Sequence, residues 1–473
     1  MIDLRQLRED PERFREGARR KRIDVDIDRI VALDAERRKL QGEQDELRAE
    51  QNTLAKQSGP KIGQLMGKLK SAADDEKAAI EAEVAELRAK PAALKEKIQA
   101  LDEQVHRIAP ELDGLLLMVP LPPDDDVPEG ATSDDNVEIR RWSPDGFDPD
   151  QPFADQRGFE PRGHIKLMES LGMVDFERGV KIAGSRSYAL RGWGMRLQHA
   201  MLRYAFDTMI DRHGFEPMGV PVLARESAMT GTGFFPAGRD QTYLIEETKR
   251  GGGEDLYLAG TGEVGLMGLH SGEIVDAGAL PLRYVTWSTC FRREAGAAGR
   301  DTAGLYRIHQ FEKVEQVVIC RAEEAESRRW HHQMIGYVEG LLQSLGLPYR
   351  LLQCCTGDLG PKNADMIDIE CWMPSRGEID RASGHPRGAY GETHSASRLY
   401  DYQCRRLNLR YRDGTGGQTV FCHSLNNTVA ASPRILIPLI EMHQREDGTI
   451  AVPEPLRPYL GGIEALGGSA DRR

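Results

Sequence analysis

Three short stretches carry side chains whose types and spacing suit chemistry on a nucleotide and a small polar substrate. The first is Phe291-Arg292-Arg293-Glu294, then a loop of small residues, then Tyr306-Arg307-Ile308-His309-Gln310-Phe311-Glu312-Lys313-Val314-Glu315. Two strand-like runs around such a loop read as a hairpin. Side chains alternate faces along a strand, so Arg292 and Glu294 are expected on one face, and Phe311 and Glu315 on one face of the return strand. A guanidinium forks onto phosphate with two parallel hydrogen bonds. An aromatic ring stacks on a base, and a carboxylate holds an ammonium. The plainer reading of the same residues is a surface hairpin with cross-strand ion pairs. The second stretch is Thr261-Gly262-Glu263, after the apolar LYLAG. The third runs from Ser424-Leu425-Asn426-Asn427-Thr428 into Ser432-Pro433-Arg434 and an apolar segment. Ser432 suits a helix N-cap and Pro433 the first helical position. Arg434 would then oppose the helix dipole in the first turn, which favours an anionic partner; a side chain pointing to solvent is the alternative.

The elements that must hold these groups follow from composition. The chain has 473 residues, 40% hydrophobic and 29% charged, which suits a folded protein of two to four domains. Residues 1–110 are expected to form a helical arm, 111–162 a Pro/Asp/Gly-rich linker, and 163–473 one large α+β domain around an antiparallel sheet. Leu33, Leu40, Leu47 and Leu54 recur at a heptad interval, and Ile80, Val84, Leu87, Leu94, Ile98, Leu101, Val105 and Ile108 continue the stripe. Gly59, Pro60, Gly63 and Gly67 read as the turn between two antiparallel coiled-coil helices, and Pro91 is expected to kink the second. Lys56, Lys61, Lys68 and Lys70 make a small basic group at the expected tip: a solvated turn, or contacts to nucleic-acid phosphates. No apolar run is long enough for a membrane span, and the start MIDLRQLRED lacks the order of a signal peptide. The net charge of −12 argues against a generic polyanion binder but not against one basic face. Seven cysteines without CxxC spacing suit a reducing cytoplasm and no disulfide framework. His385, His394 and Cys371 lie near one another in sequence but lack metal-ligand spacing.

Taken together, these stretches resemble a known family. FRREAGAAGRDTAGLYRIHQFEKVE (291–315) looks like motif 2 of the class II aminoacyl-tRNA synthetases. The segment ending near Val220-Pro221 looks like motif 1, and Asn426 to Arg434 with the helix that follows looks like motif 3. Nearly the whole chain, arm included, resembles the seryl-tRNA synthetases. The resemblance implies an antiparallel sheet with flanking helices, a homodimer formed partly through motif 1, and a cytoplasmic enzyme. It implies activation of L-serine by ATP with Mg²⁺, then transfer to the 3′ end of tRNA(Ser), and of tRNA(Sec) where one exists. Arg292 would hold the α-phosphate, Arg293 would also bind ATP, Glu294 would read the adenine side, and Ile308 would contribute a backbone contact. Phe311 would stack on adenine, and Arg434 would stack on its other face and reach the γ-phosphate. Glu392, Thr393, His394 and Ser395, in GETHSAS, would contact ATP, with Glu392 and Ser395 holding Mg²⁺ through it. Thr261, Gly262, Glu263, Arg292, Glu315 and Thr428 would surround serine. The arm, with its four lysines, would lie across the long variable arm of the tRNA. The chain departs from the family in carrying Gly262 where Ala is usual. Asn427, Val429 and Pro433 replace motif 3 glycines, Pro438 is expected to distort the next helix, and residues 379–389 are inserted.

Overall fold

The computed structural model describes residues 2–295, 304–381, 384–414 and 416–467. Most of the motif 2 loop (296–303) lies outside the described residues, as do 382–383 of the insertion. The chain divides into two compact units: Ile2–Arg15 with Asp24–Val119, and Glu16–Ile23 with Pro120–Arg473.

The first unit is built on α1 (Ile27–Leu69) and α2 (Asp74–Met118), which pair along their length. Asp26 starts α1 by accepting from the Arg29 amide at 2.8 Å. Leu33, Leu40 and Gln44 are buried on one helix, and Val84 and Leu94 on the other. Gln44 spends its amide on Asp102 (3.1 Å), and Arg29 forks onto Glu111 with bonds of 2.7 and 2.9 Å. At 1.5 Å per residue each helix is about 65 Å long. The turn is not where Gly59, Pro60, Gly63 and Gly67 suggest. α1 continues through them to Leu69, and the chain reverses over 70–73. A helix-interior glycine costs about 1 kcal/mol and a proline about 3. Pairing with α2 along its length, including an ion pair between Lys61 and Glu83 at 3.5 Å, overrides that local cost. α2 is likewise continuous through Pro91, whose carbonyl accepts from Gln51 at 3.3 Å. All four lysines are exposed, but they do not cluster at a tip. Lys68 is in the last turn of α1 and Lys70 begins the reversal, whereas Lys56 lies about 20 Å back along α1.

The second unit centres on an eight-stranded sheet. Its strands in chain order are β1 (Val137–Trp142), β2 (Glu216–Pro217), β3 (Leu282–Phe291), β4 (Gln310–Cys320), β5 (Tyr349–Gln353), β6 (Asp365–Met373), β7 (Ala389–Arg398) and β8 (His423–Ser432). In space they run β1-β5-β6-β7-β8-β4-β3-β2, antiparallel throughout except that β2 is parallel to β3. The stretch 111–162, expected as a linker, therefore supplies the end of α2 and an edge strand of this sheet. Helices α3 (Trp193–Asp211), α4 (Glu324–Ser344) and α5 (Leu436–Met442) pack against it.

β4 shows how the sheet divides structure from chemistry. Val314, Val318 and Cys320 point into the main core with Met201, Met334 and Leu425. Val317 and Ile319 point the other way, into a second core with Leu266 and Leu407. A strand buried on both faces loses simple hydrophobic alternation. On the face of Val317, toward the start of the strand, come Glu315, Lys313 and Phe311. All seven cysteines are free and buried. Among the described residues, no helix is long and apolar enough to cross a membrane.

Candidate active site

A cleft opens where β4, β7 and β8 lie side by side, and most of the expected nucleotide residues line it. Arg292 and Glu294 are there, although not as strand neighbours: β3 ends at Phe291. The Arg292 amide still bonds to the His309 carbonyl (2.9 Å) across the hairpin. Glu294 turns into the cleft through a left-handed backbone (φ +52°), a conformation uncommon for a residue with a Cβ. Phe311 lines the cleft with its ring 5.3 Å from the Arg292 guanidinium carbon, and Ile308 is buried beside it. Arg293 is not among the lining residues; its amide bonds to Gln241 (2.9 Å) and its side chain is exposed.

Arg434 closes the opposite wall, in a way that differs from the sequence reading. Ser432 is the last residue of β8 rather than a helix cap, because its hydroxyl donates to Gln198 on α3 (2.8 Å). The helix begins only at Leu436. Arg434 thus sits in a tight turn, not in a first helical turn. Its Nε donates to the Tyr306 carbonyl (3.4 Å), its guanidinium carbon lies 4.5 Å from the Tyr306 ring centroid, and it pairs with Glu392 at 3.2 Å. Pro438 is the third residue of α5, where the missing N–H has no intrahelical partner to lose.

Two β-bulges assemble the remaining groups. In a regular strand, residues three apart face opposite sides. The β6/β7 register shifts at Thr393, so that Ile369 faces His394 and Glu370 faces Glu392. As a result Glu392 and Ser395 both line the cleft. The β4/β8 register shifts at Val429, and Thr428 and Ala431 share the cleft in the same way. Thr393 donates to the Ile369 carbonyl (3.1 Å) and lies 2.8 Å from Nδ1 of His394. Burial pushes the His394 imidazole down to about 3, so it is neutral at physiological pH. Burial, then the charge of Glu392, pushes the neighbouring Asp368 carboxyl well above the usual carboxylate range. Glu392, with its side chain 46% exposed, is the carboxylate available to a cation. Together with the Ser395 hydroxyl it offers the hard oxygen donors that Mg²⁺ takes.

Beside Lys313 on the cleft wall lies a buried polar cluster around Thr261. The Thr261 hydroxyl accepts from the Lys313 ammonium (2.8 Å) and from the Glu263 amide (3.2 Å), and donates to Glu315 Oε2 at 3.3 Å. Lys313 and Glu315 form a tight ion pair, and Asn426 donates to the other Glu315 oxygen at 3.3 Å. Thr428 faces Glu315 across β4 and β8. Glu263 is equally buried but fully engaged: Lys362 donates to both of its oxygens (2.8 and 2.7 Å) and Gln403 to one (2.7 Å). Its carboxylate braces the pocket from behind. Gly262 has a packing reason, since a Cβ there would come within 2.4 Å of the Thr286 methyl.

Sequence reasoning missed Lys313, Tyr306, Lys362 and Gln403. Lys313 was legible, because it lies between Phe311 and Glu315 at the two-residue strand period. Lys362 and Gln403 carried no local signal, since only the fold brings them to Glu263. His385, His394 and Cys371 do not converge. Among the described residues, the metal-type donors that lie within 4.8 Å of one another are those of Cys354, Asp358 and Asp368. Of these, Asp358 accepts from Asn136 at 2.9 Å, and burial pushes the Cys354 thiol up.

Known proteins share both parts of this architecture. Residues 1–121 match the seryl-tRNA synthetase N-terminal domain, and 243–443 match the class II tRNA synthetase core domain (G, H, P, S and T). The chain is 46% identical over 357 residues to the serine–tRNA ligase of Deinococcus radiodurans, covering 75% of this chain and 77% of the relative. It is 41% identical over 354 residues to that of Halalkalibacterium halodurans, covering 75% and 77%. The crystal structure of the Pyrococcus horikoshii seryl-tRNA synthetase complexed with ATP superposes with a TM-score of 0.81 at 35% identity, over 98% of this chain and 99% of that one. The cytoplasmic enzyme of Naegleria fowleri in complex with AMP also gives 0.81, at 30% identity over 99% of each chain. A class II sheet, a long helical arm and this level of identity lead to one conclusion: the chain belongs to the seryl-tRNA synthetases, the serine–tRNA ligases.

Proposed function

We propose that the cleft binds ATP and the polar cluster beside it binds serine, so that seryl-adenylate forms where the two meet and is then passed to tRNA(Ser). What carries this reading is that the cleft joins two guanidiniums, an aromatic ring and an exposed carboxylate to Lys313 and Thr428, which border the buried Thr261–Glu315 pocket. Phe311 supports one face of adenine and Arg434 the other, while Glu294 and Ile308 border the base. Arg292 neutralises the α-phosphate. Glu392 and Ser395 would hold Mg²⁺, which when bound supplies positive charge to the triphosphate. The serine ammonium is received by Glu315 and Thr261, and its hydroxyl by Thr428. Arg293 lies outside the cleft wall and Glu263 acts as a brace, so neither is given a direct contact.

In the first step a serine carboxylate oxygen bonds to the α-phosphorus. The bond from that phosphorus to the bridging oxygen breaks, and its electron pair leaves with pyrophosphate. In the second, the terminal 3′-hydroxyl oxygen of the tRNA bonds to the seryl carbonyl carbon, the bond from that carbon to the phosphate oxygen breaks, and AMP leaves with its electron pair as the hydroxyl proton is released. Neither step needs a covalent bond to the protein; alignment and charge neutralisation supply the rate. A pocket built around the substrate hydroxyl discriminates against alanine by about 10⁴-fold, since alanine leaves buried polar groups unpaired. The two-helix arm contacts the tRNA backbone through exposed lysines, and two chains pair in solution. Serine-dependent ATP–pyrophosphate exchange, with alanine and threonine as controls, tests the first step, and charging of purified tRNA(Ser) tests the second. Exchange with serine alone and full charging are expected; no exchange with any of the three amino acids would refute the reading.

A further inference from the structure

We propose that Lys313 is a catalytic residue that occupies the place of the substrate ammonium until serine arrives, and then moves into the cleft to neutralise the reacting phosphate. The inference rests on the reading of Thr261 and Glu315 as the serine subsite.

The two buried carboxylates of the pocket are partnered differently. Glu263 is held by Lys362, whose ammonium also sits 4.2 Å from the Phe234 ring centroid, and by Gln403. Neither lysine nor glutamine lines the nucleotide cleft, so this clamp has no reason to open. Glu315 is held by Lys313, and Lys313 does line the cleft, with Arg292, Glu392, Ser395 and Arg434. The two residues alternate along one face of β4, and both are almost wholly buried, at 5% and 1% exposure. The Lys313 ammonium makes a bond to Thr261 Oγ1 and an ion pair with Glu315 Oε2. A primary ammonium with three donors is also what serine brings, and it would seek the same two oxygens. A second ammonium aimed at Thr261 Oγ1 and Glu315 Oε2 meets oxygens that Lys313 already engages, and is repelled by its charge. On this reading serine displaces Lys313. The lysine's flexible four-carbon stem lets its head leave while its base stays fixed in the sheet. The open side is the cleft, where negative charge grows on the α-phosphate oxygens as the serine oxygen bonds to phosphorus and pyrophosphate departs with its electron pair. Lys313 takes no proton in this step; it supplies charge.

The test compares K313M and K313Q with the unaltered enzyme in ATP–pyrophosphate exchange. K313Q keeps an N–H donor on a shorter side chain and removes the charge, so it serves if K313M does not fold. ATP binding and thermal denaturation check the fold. The expected result is a kcat lower by about 100-fold or more, as for other removed transition-state donors, with a serine KM that is unchanged or lower. Ethanolamine, which has the ammonium and hydroxyl of serine but no carboxylate, should inhibit the variant several-fold more tightly, because its site is no longer filled. A serine KM that rises, or ethanolamine inhibition that is unchanged or weaker, would overturn the placeholder role. A kcat within threefold of the unaltered enzyme would overturn the catalytic one. E315Q separates the underlying reading: if it leaves serine KM unchanged, the subsite itself is misplaced, whatever Lys313 does.

Discussion

Lys56 and Lys70 lie on one helix and its cap, yet about 20 Å apart by the helical rise. Thr261 and Lys313 are 52 positions apart in sequence and 2.8 Å apart in space. The arm spreads its charges along a rod whose shape follows from a repeating stripe. The catalytic unit gathers its charges at one point, using strands that come from distant parts of the chain. A rod tolerates the loss of one contact, because each acts alone on a long backbone. A convergent site does not, because each buried group is the partner of another. The two regions should therefore fail in different assays and by different amounts.

The largest effect is expected inside the convergent site. Arg434→Ala removes the stack on Tyr306 and the pair with Glu392. ATP–pyrophosphate exchange should fall by about 10³-fold; a loss below tenfold would mean that Arg434 is not at the triphosphate. Removal of 30–105 should come next and sharpen the contrast. Charging of tRNA(Ser) should drop by more than about 100-fold through lost phosphate contacts, while exchange stays within threefold. Comparable losses in both assays would show that the arm also supports activation. Thr428→Ala should raise the serine KM by about 10- to 100-fold through one lost buried hydrogen bond. The ATP KM should hardly move, and an equal rise in both would refute the assignment of the hydroxyl contact. Gly262→Ala forces the Thr286 methyl aside at a cost of about 1–3 kcal/mol, and Thr286→Ser should restore most of the stability and serine affinity. The smallest effects belong to the arm: Lys68→Ala and Lys70→Ala should each weaken tRNA binding only a few-fold, and each should lower the salt dependence by about one counterion. Unchanged salt dependence in both would leave the lysines merely solvated.

How much of each region could be read from the sequence follows the same division. The heptad stripe foretold two paired helices, because periodicity is a local property. It misplaced their turn, because three glycines and a proline look like punctuation unless one knows that the whole helix pairs with a partner. In the catalytic unit, the motif-bearing residues were legible as types, and the strand period correctly set Phe311 and Glu315 on one face. The bulges at Thr393 and Val429 were not legible, although they bring Glu392 next to Ser395 and Thr428 next to Ala431 in the cleft. A bulge is settled by the register of two strands, which no single stretch encodes. Ser432 misled for a related reason. Its type suits a helix cap, but Gln198, 234 residues away in sequence, claims its hydroxyl. Within 111–162, read as a linker, the mostly exposed residues of β1 pair as an edge strand with β5, which no local pattern announces.

A crystal structure with a non-hydrolysable seryl-adenylate analogue tests the central claim most directly. Adenine should lie between Phe311 and Arg434, the α-phosphate mimic against Arg292, and the seryl ammonium against Glu315 and Thr261 with its hydroxyl at Thr428. An analogue bound outside this cleft, or bound within it with the seryl ammonium turned away from Glu315, would contradict the account.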